Sequence, residues 1–157
     1  MDIEIIMEDG GVIKAELYPA SAPITVANFV KLINENFFDG LIFHRVISGF
    51  MIQGGGMSAD GTPKHAESIK GEFKRNGVDN PLKHTRGVLS MARTMFPNSA
   101  SSQFFIMHAD APHLDGEYAA FGKVTEGMDV VDRIAETPTD YNDQPVAPQI
   151  IKTIKMV

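Results

Sequence analysis

The chain has 157 residues, enough for a single domain over residues 1–157 that buries about two thirds of the surface its unfolded form exposes. With 43% hydrophobic and 22% charged residues it has the balance of an ordinary soluble globular protein, which argues against wholesale disorder and membrane-spanning helices. A net charge of −6 argues against a general role on nucleic acid or anionic membranes, and the absence of cysteine excludes disulfides, thiol catalysis and Cys-ligated zinc.

At the N-terminus Ile3, Ile5 and Met7 alternate with Asp2, Glu4 and Glu8 around Ile6. Asp9-Gly10-Gly11 follows as a turn, and Ile13, Ala15 and Leu17 then alternate with Lys14 and Glu16. This predicts a hairpin, because Asp-Gly tolerates the positive φ of a tight turn. Acids stand where an export signal would carry Lys or Arg, so cytoplasm is the expected compartment. Ser21-Ala22-Pro23 opens a helix, with serine as its expected cap, and Val26, Phe29, Val30 and Ile33 form one apolar stripe. That helix should end near Asn34 to Asn36 and plug one end of a sheet or barrel.

Phe43 to Gly55 reads as a strand, a turn at Ser48-Gly49 and a second strand closed by glycines. Strand alternation puts Met51 and Gln53 on one face and Ile52 on the other, with Arg45 just before the turn. From Gly54 to Gly87 the periodicity fades, and one short strand is expected near Ser68 to Phe73. Lys64 to Arg93 carries seven basic residues against three acids. That is either a solvated loop region or a surface favouring acidic flanks in a partner.

Gly87 to Ala92 reads as a strand running into a turn-rich loop, Arg93 to Ala100. Ser102 to Met107 repeats the earlier pattern, with Gln103 and Phe105 on one face and Phe104 and Ile106 on the other. His113-Leu114-Asp115-Gly116 should turn tightly before a strand from Tyr118 to Val124. Thr125 should cap a short helix containing Met128, Val131 and Ile134, ended by Thr137-Pro138. Gln149 to Val157 should close the sheet with Ile150, Ile154 and Met156 on one face. Eight short strands and two helices without a βαβ rhythm give an all-β fold, an antiparallel barrel or sandwich.

The two glutamine-bearing strands, set side by side, would form a shallow apolar pocket of Phe50, Met51 and Phe105 rimmed by Gln53 and Gln103, with the Arg45 guanidinium at its edge. Exposed Phe and Met on an antiparallel strand are also ordinary surface, and alternation alone leaves both readings open. The five histidines never fall at the spacing of helical zinc sites, so no metal is expected. Ser48 and Ser90 lie in no nucleophile elbow, and Gly54-Gly55-Gly56 leads into no phosphate-binding helix. A barrel enclosing a small apolar ligand would need a hollow interior, against the inward-facing Phe, Ile and Leu.

Phe43-His44-Arg45-Val46-Ile47-Ser48-Gly49-Phe50-Met51-Ile52-Gln53-Gly54-Gly55, Gly87 to Ala92, Ser102 to Ile106, Leu114-Asp115-Gly116 and Phe121 to Val124, in that order, resemble the cyclophilins. The resemblance extends to the Ala22 to Phe29 helix. It implies a closed eight-stranded antiparallel barrel capped by two α-helices, with peptidyl-prolyl cis/trans isomerase activity on proline-containing peptides and on unfolded or loop segments of proteins. The enzyme is expected to be a monomer without cofactor. Arg45 resembles the family's catalytic arginine, and Phe50, Met51, Phe105 and Leu114 resemble its proline pocket. Gln53 and Gln103 match groove-lining side chains, while Ala92 and Arg93 match the segment that holds the peptide extended. His113 stands where familiar members carry tryptophan, and Tyr118 where they carry histidine. The first departure weakens the expected binding of cyclosporin; the second keeps an aromatic wall. A proline-peptide holding module with little turnover is the alternative.

Overall fold

The computed structural model describes residues 1–157. The strands are β1 (Asp2–Met7), β2 (Val12–Leu17), β3 (Leu41–Ile47), β4 (Met51–Ser58), β5 (Val88–Met91), β6 (Phe104–Met107), β7 (Ala120–Glu126) and β8 (Ile151–Met156). The helices are α1 (Pro23–Asn34) and α2 (Met128–Ala135). All eight strands join one sheet in the order β3-β4-β6-β5-β7-β2-β1-β8, with every pairing antiparallel. The two outer strands meet at an Ile42–Ile150 bridge, supported by the bond from Phe43 N–H to Gln149 O at 3.0 Å, so the sheet nearly closes into a barrel. No helix is long and apolar enough to cross a membrane.

The barrel is filled. Phe29 drops from α1 into the interior, its ring centroid 5.0 Å from Phe38, 5.2 Å from Phe104 and 5.0 Å from Phe121, and Phe43 packs 5.9 Å from Phe104. Such edge-to-face and tilted contacts are the favoured aromatic geometry, and they leave the interior no room for a ligand. Strand alternation then builds a second, smaller core on the outer face. Phe104 and Ile106 point inward, while Phe105 and Met107 join Met51, Val88, Leu114 and Ala120 outside.

Several sequence expectations need correction. No strand forms over Ser68 to Phe73; that stretch is irregular and pinned by side chains. Gly71 N–H donates to Asn98 Oδ1 (3.1 Å) and Asn76 Nδ2 donates to Gly71 O (2.7 Å). A Cβ on Gly71 would lie 2.2 Å from Pro97 O, so the loop passes too close for any other residue. Ser21 does not cap α1. Ala22 occupies the cap position, and the buried Glu72 carboxylate accepts from Thr25 N–H (2.6 Å) and Thr25 Oγ1 (2.7 Å). A carboxylate from the loop thus neutralises the helix N-terminus that the sequence assigned to a neighbouring serine.

Thr125 lies in β7, and α2 starts instead from Gly127, whose φ of 94° only glycine adopts freely. The β1–β8 register shifts at Ile6/Met7, so Ile151 joins the expected Ile154 in the core; Met156 packs against that core only partly buried, and Ile150 lies before the strand. The expected tight turn is present at Asp115-Gly116, closed by Glu117 N–H on Leu114 O at 3.0 Å with Gly116 at a φ of 76°. It directly follows a short 3-10 turn (Pro112–Leu114) and leads to β7, which pairs with β5 and β2. Of the basic segment, Arg75 and Arg86 pair with Glu117 and Asp132, and the Lys64 ammonium caps the Phe37 ring.

Candidate active site

The antiparallel register of β3, β4 and β6 assembles the cleft. Arg45 lies opposite Gln53, which lies opposite Phe105. Gln53 and Arg45 therefore share one face with the outward Phe105 ring. Gly55 and Gly56 make room at the end of β4: a Cβ on Gly56 would sit 2.6 Å from Gln103 Cγ, so the bare backbone lets the Gln103 side chain lie across it. Gln53 Nε2 then donates to Gln103 Oε1 at 3.0 Å, and Arg45 Nη1 reaches Gln53 Oε1 at 3.4 Å. Arg45 makes no other side-chain hydrogen bond, and most of its guanidinium N–H groups face solvent.

Nine of the eleven sequence-predicted residues line one pocket of about 140 Å³: Arg45, Phe50, Met51, Gln53, Ala92, Arg93, Phe105, Leu114 and Tyr118. The other two lie beside it. Gln103 lines an adjoining polar depression of about 160 Å³ that shares Gln53, Ala92 and Arg93 and continues to Thr94, Ser99 and Ser101. His113 stacks on Phe50 with ring centroids 6.0 Å apart. Between the two hollows stands Arg93, whose guanidinium is 4.7 Å from the ring centroids of both Phe73 and Tyr118. Its Nε and Nη2 donate to Glu117 O at 3.0 and 2.6 Å, and Nη1 donates to Thr94 O at 2.9 Å. Arg93 is thus a fixed partition, whereas Arg45 has donors to spare.

Sequence reasoning missed the group behind the pocket. His84 is buried and stacks on Phe105, with ring centroids 6.1 Å apart. Its Nδ1 is 3.0 Å from Asp115 Oδ1 and its Nε2 is 2.8 Å from Ser90 Oγ. The bond network assigns a neutral ring that donates through Nδ1 to the carboxylate and accepts from the serine hydroxyl. Burial depresses the His84 pKa, against the opposing pull of Asp115. Burial works to raise the Asp115 carboxyl, but the His84 backbone N–H and ring outweigh it and hold the group below its ordinary value. Ser, His and Asp here resemble a hydrolytic triad, yet Ser90 and His84 are sealed from solvent, so no substrate carbonyl reaches them. No spacing in the chain signals this trio, because Asp115 reaches His84 across 31 positions from the turn after Pro112–Leu114.

What the cleft offers is one free guanidinium, an apolar notch and a row of amides. This suits reorientation of a bound amide more than bond cleavage. Residues 2–156 match the model of the cyclophilin type peptidyl-prolyl cis-trans isomerase family. The chain belongs to this family. Among its relatives, peptidyl-prolyl cis-trans isomerase B of Bacillus subtilis is 50% identical over a region covering 79% of this chain and 83% of that protein. Peptidyl-prolyl cis-trans isomerase A of Dickeya dadantii is 42% identical over 98% of this chain and 83% of its own length. A Cryptosporidium parvum cyclophilin, solved in the presence of the dipeptide Ala-Pro, superposes with a TM-score of 0.83 at 34% identity, covering 98% of this chain and 97% of that one. As a cyclophilin, the chain is an isomerase, and its barrel with two helices is the architecture of its structural neighbours.

Proposed function

We propose that this cyclophilin accelerates rotation about X-Pro bonds through Arg45, with the proline ring held by Phe50, Met51, Phe105 and Leu114. The peptide is steadied by Gln53, Gln103, Ala92, Arg93 and Tyr118. An X-Pro amide resists rotation by about 18–20 kcal/mol because resonance gives its C–N bond partial double-bond character. As the bond twists, the prolyl nitrogen becomes pyramidal and its lone pair localises. A donor aimed at that nitrogen binds the twisted state more strongly than the flat one, which lowers the barrier. No covalent bond breaks, so neither nucleophile nor cofactor is required, and a rate gain of about 10⁶ asks for roughly 8 kcal/mol from all contacts together.

The observation that carries this reading is the placement of the Arg45 guanidinium, with one long bond to Gln53 and free donors, at the lip of the apolar pocket. The Ala-Pro dipeptide named with the Cryptosporidium relative fits the same substrate class. We further infer that the substrates are proline-containing peptides and unfolded or loop segments of other proteins. The enzyme assists folding as a single-domain monomer in the cytoplasm, and cyclosporin binds it weakly because His113 replaces an indole. The test is NMR exchange on an Ala-Pro peptide at substoichiometric protein. Broadening of the cis and trans signals means catalysis, whereas binding without exchange means a holding module.

A further inference from the structure

The loop that follows β5 presents an unusual surface. Met95 is 84% and Phe96 68% exposed, the one pair of adjacent residues among the large apolar side chains left open to solvent. The pair is held out by a tight frame rather than a mobile tip. Thr94 N–H and Oγ1 each bond Ser99 Oγ at 2.9 Å, Phe96 N–H donates to Thr94 Oγ1 at 3.2 Å, and Ser99 Oγ donates to Phe96 O at 2.6 Å. The frame residues Thr94 and Ser99 are themselves walls of the polar depression that adjoins the main pocket. The exposed pair is therefore joined through its own frame to the rim of the cleft, beyond a polar depression that begins at Ala92 and Arg93.

We propose that the Met95–Phe96 tip is an outer binding surface for the substrate polypeptide, taking apolar side chains about three to five residues away from the proline. The reach follows from chain geometry. Met95 is three residues from Ala92, so their Cα atoms are at most about 11 Å apart, and an extended peptide covers that distance in about three residues. The occupant follows from the cleft: a chain whose X-Pro bond is accessible is locally unfolded, and such a chain exposes its own Leu, Ile and Phe side chains. A pre-ordered apolar pair binds them without first losing conformational freedom of its own backbone. The surface would make the enzyme favour apolar unfolded segments over polar surface loops carrying the same X-Pro pair.

This rests on the isomerase reading above, and the experiment separates the two. The probes are a capped Ala-Ala-Pro-Ala tetrapeptide and two longer peptides with one central proline, which carry Leu or Ser at the third to fifth positions on both sides. Wild type should turn over the Leu peptide with a kcat/KM about five- to tenfold above the Ser peptide, through KM, as expected for part-burial of two large apolar side chains. The M95S/F96S double variant should lose that preference and retain the wild-type rate on the tetrapeptide. Equal rates for the two long peptides in wild type, or a preference that survives in the variant, overturns the proposal. Absence of tetrapeptide turnover by wild type overturns the isomerase reading and this one with it. Independently of any variant, the Met95 methyl of wild type should show intermolecular NOEs to the Leu methyls; their absence at saturation also overturns it.

Discussion

Arg45 and Gln53 face each other across the β3–β4 register, Nη1 3.4 Å from Oε1, and Gln53 hands the chain on to Gln103 at 3.0 Å. The amide row orients the guanidinium through a single long bond and leaves its other donors free. Arg45→Ala should lower kcat/KM by about 10²- to 10³-fold, the usual cost of one transition-state donor, while peptide affinity weakens less than about tenfold. Protease-coupled rates and NMR titration on the same peptide measure the two quantities. Equal losses in both would assign Arg45 to ground-state binding.

Arg93 plays the opposite part. Three donated bonds and two flanking rings immobilise it. Arg93→Ala should cost about 1–3 kcal/mol of stability in urea titrations and raise KM by merging the two hollows. Arg93→Lys should recover little, since an ammonium can neither fork to the two carbonyls nor lie flat between Phe73 and Tyr118.

Acid should weaken the fold before it touches the chemistry. His84 and His44 both have pKa values lowered chiefly by burial, with the Arg45 charge adding to the effect at His44. Between their depressed folded values and the ordinary value of about 6.5 the unfolded chain binds protons that the native one refuses. Stability is therefore full above about pH 6.5 and declines as pH falls from there toward the folded values. Urea midpoints at pH 7.5 and 5.5 should show that drop, reduced in His84→Asn relative to its own value at pH 7.5. Turnover, which uses no titrating group, should stay nearly flat from about pH 6 to 8.

His113 stacks on Phe50 at 6.0 Å, where familiar cyclophilins carry tryptophan. Calorimetry should find cyclosporin affinity weaker than about micromolar, and His113→Trp should tighten it by about tenfold through a larger ring and an indole donor. Submicromolar binding by wild type would show that the ring at this position matters little.

Part of the cleft was legible in strand alternation. Ala92, Arg93, His113, Leu114 and Tyr118 carried no such signal and were named only through the cyclophilin resemblance, but Met51, Gln53 and Phe105 could share a face only if β4 and β6 paired, and they do. The hairpin of β1 and β2 and the stripe of α1 were equally plain. What could not be read is whatever rests on partners distant in sequence. Glu72 replaces Ser21 at the helix N-terminus across 47 positions, and His84 finds Asp115 across 31. Backbone proximity misled in the same way at Thr125 and Ser68 to Phe73, where a left-handed glycine and side-chain amides do the work that local propensity assigned to a cap and a ladder.

The first and last strands are neighbours, β1 beside β8, with Val157 N–H bonded to Asp2 O at 3.0 Å. In the circular order of the barrel β1 stands across from β6, the strand that carries Phe105. A fluorophore, affinity handle or solid support joined to the N-terminus therefore departs from the wall opposite that strand. The mouth that receives proline stays turned toward open solution, and the protein can be immobilised without shading it.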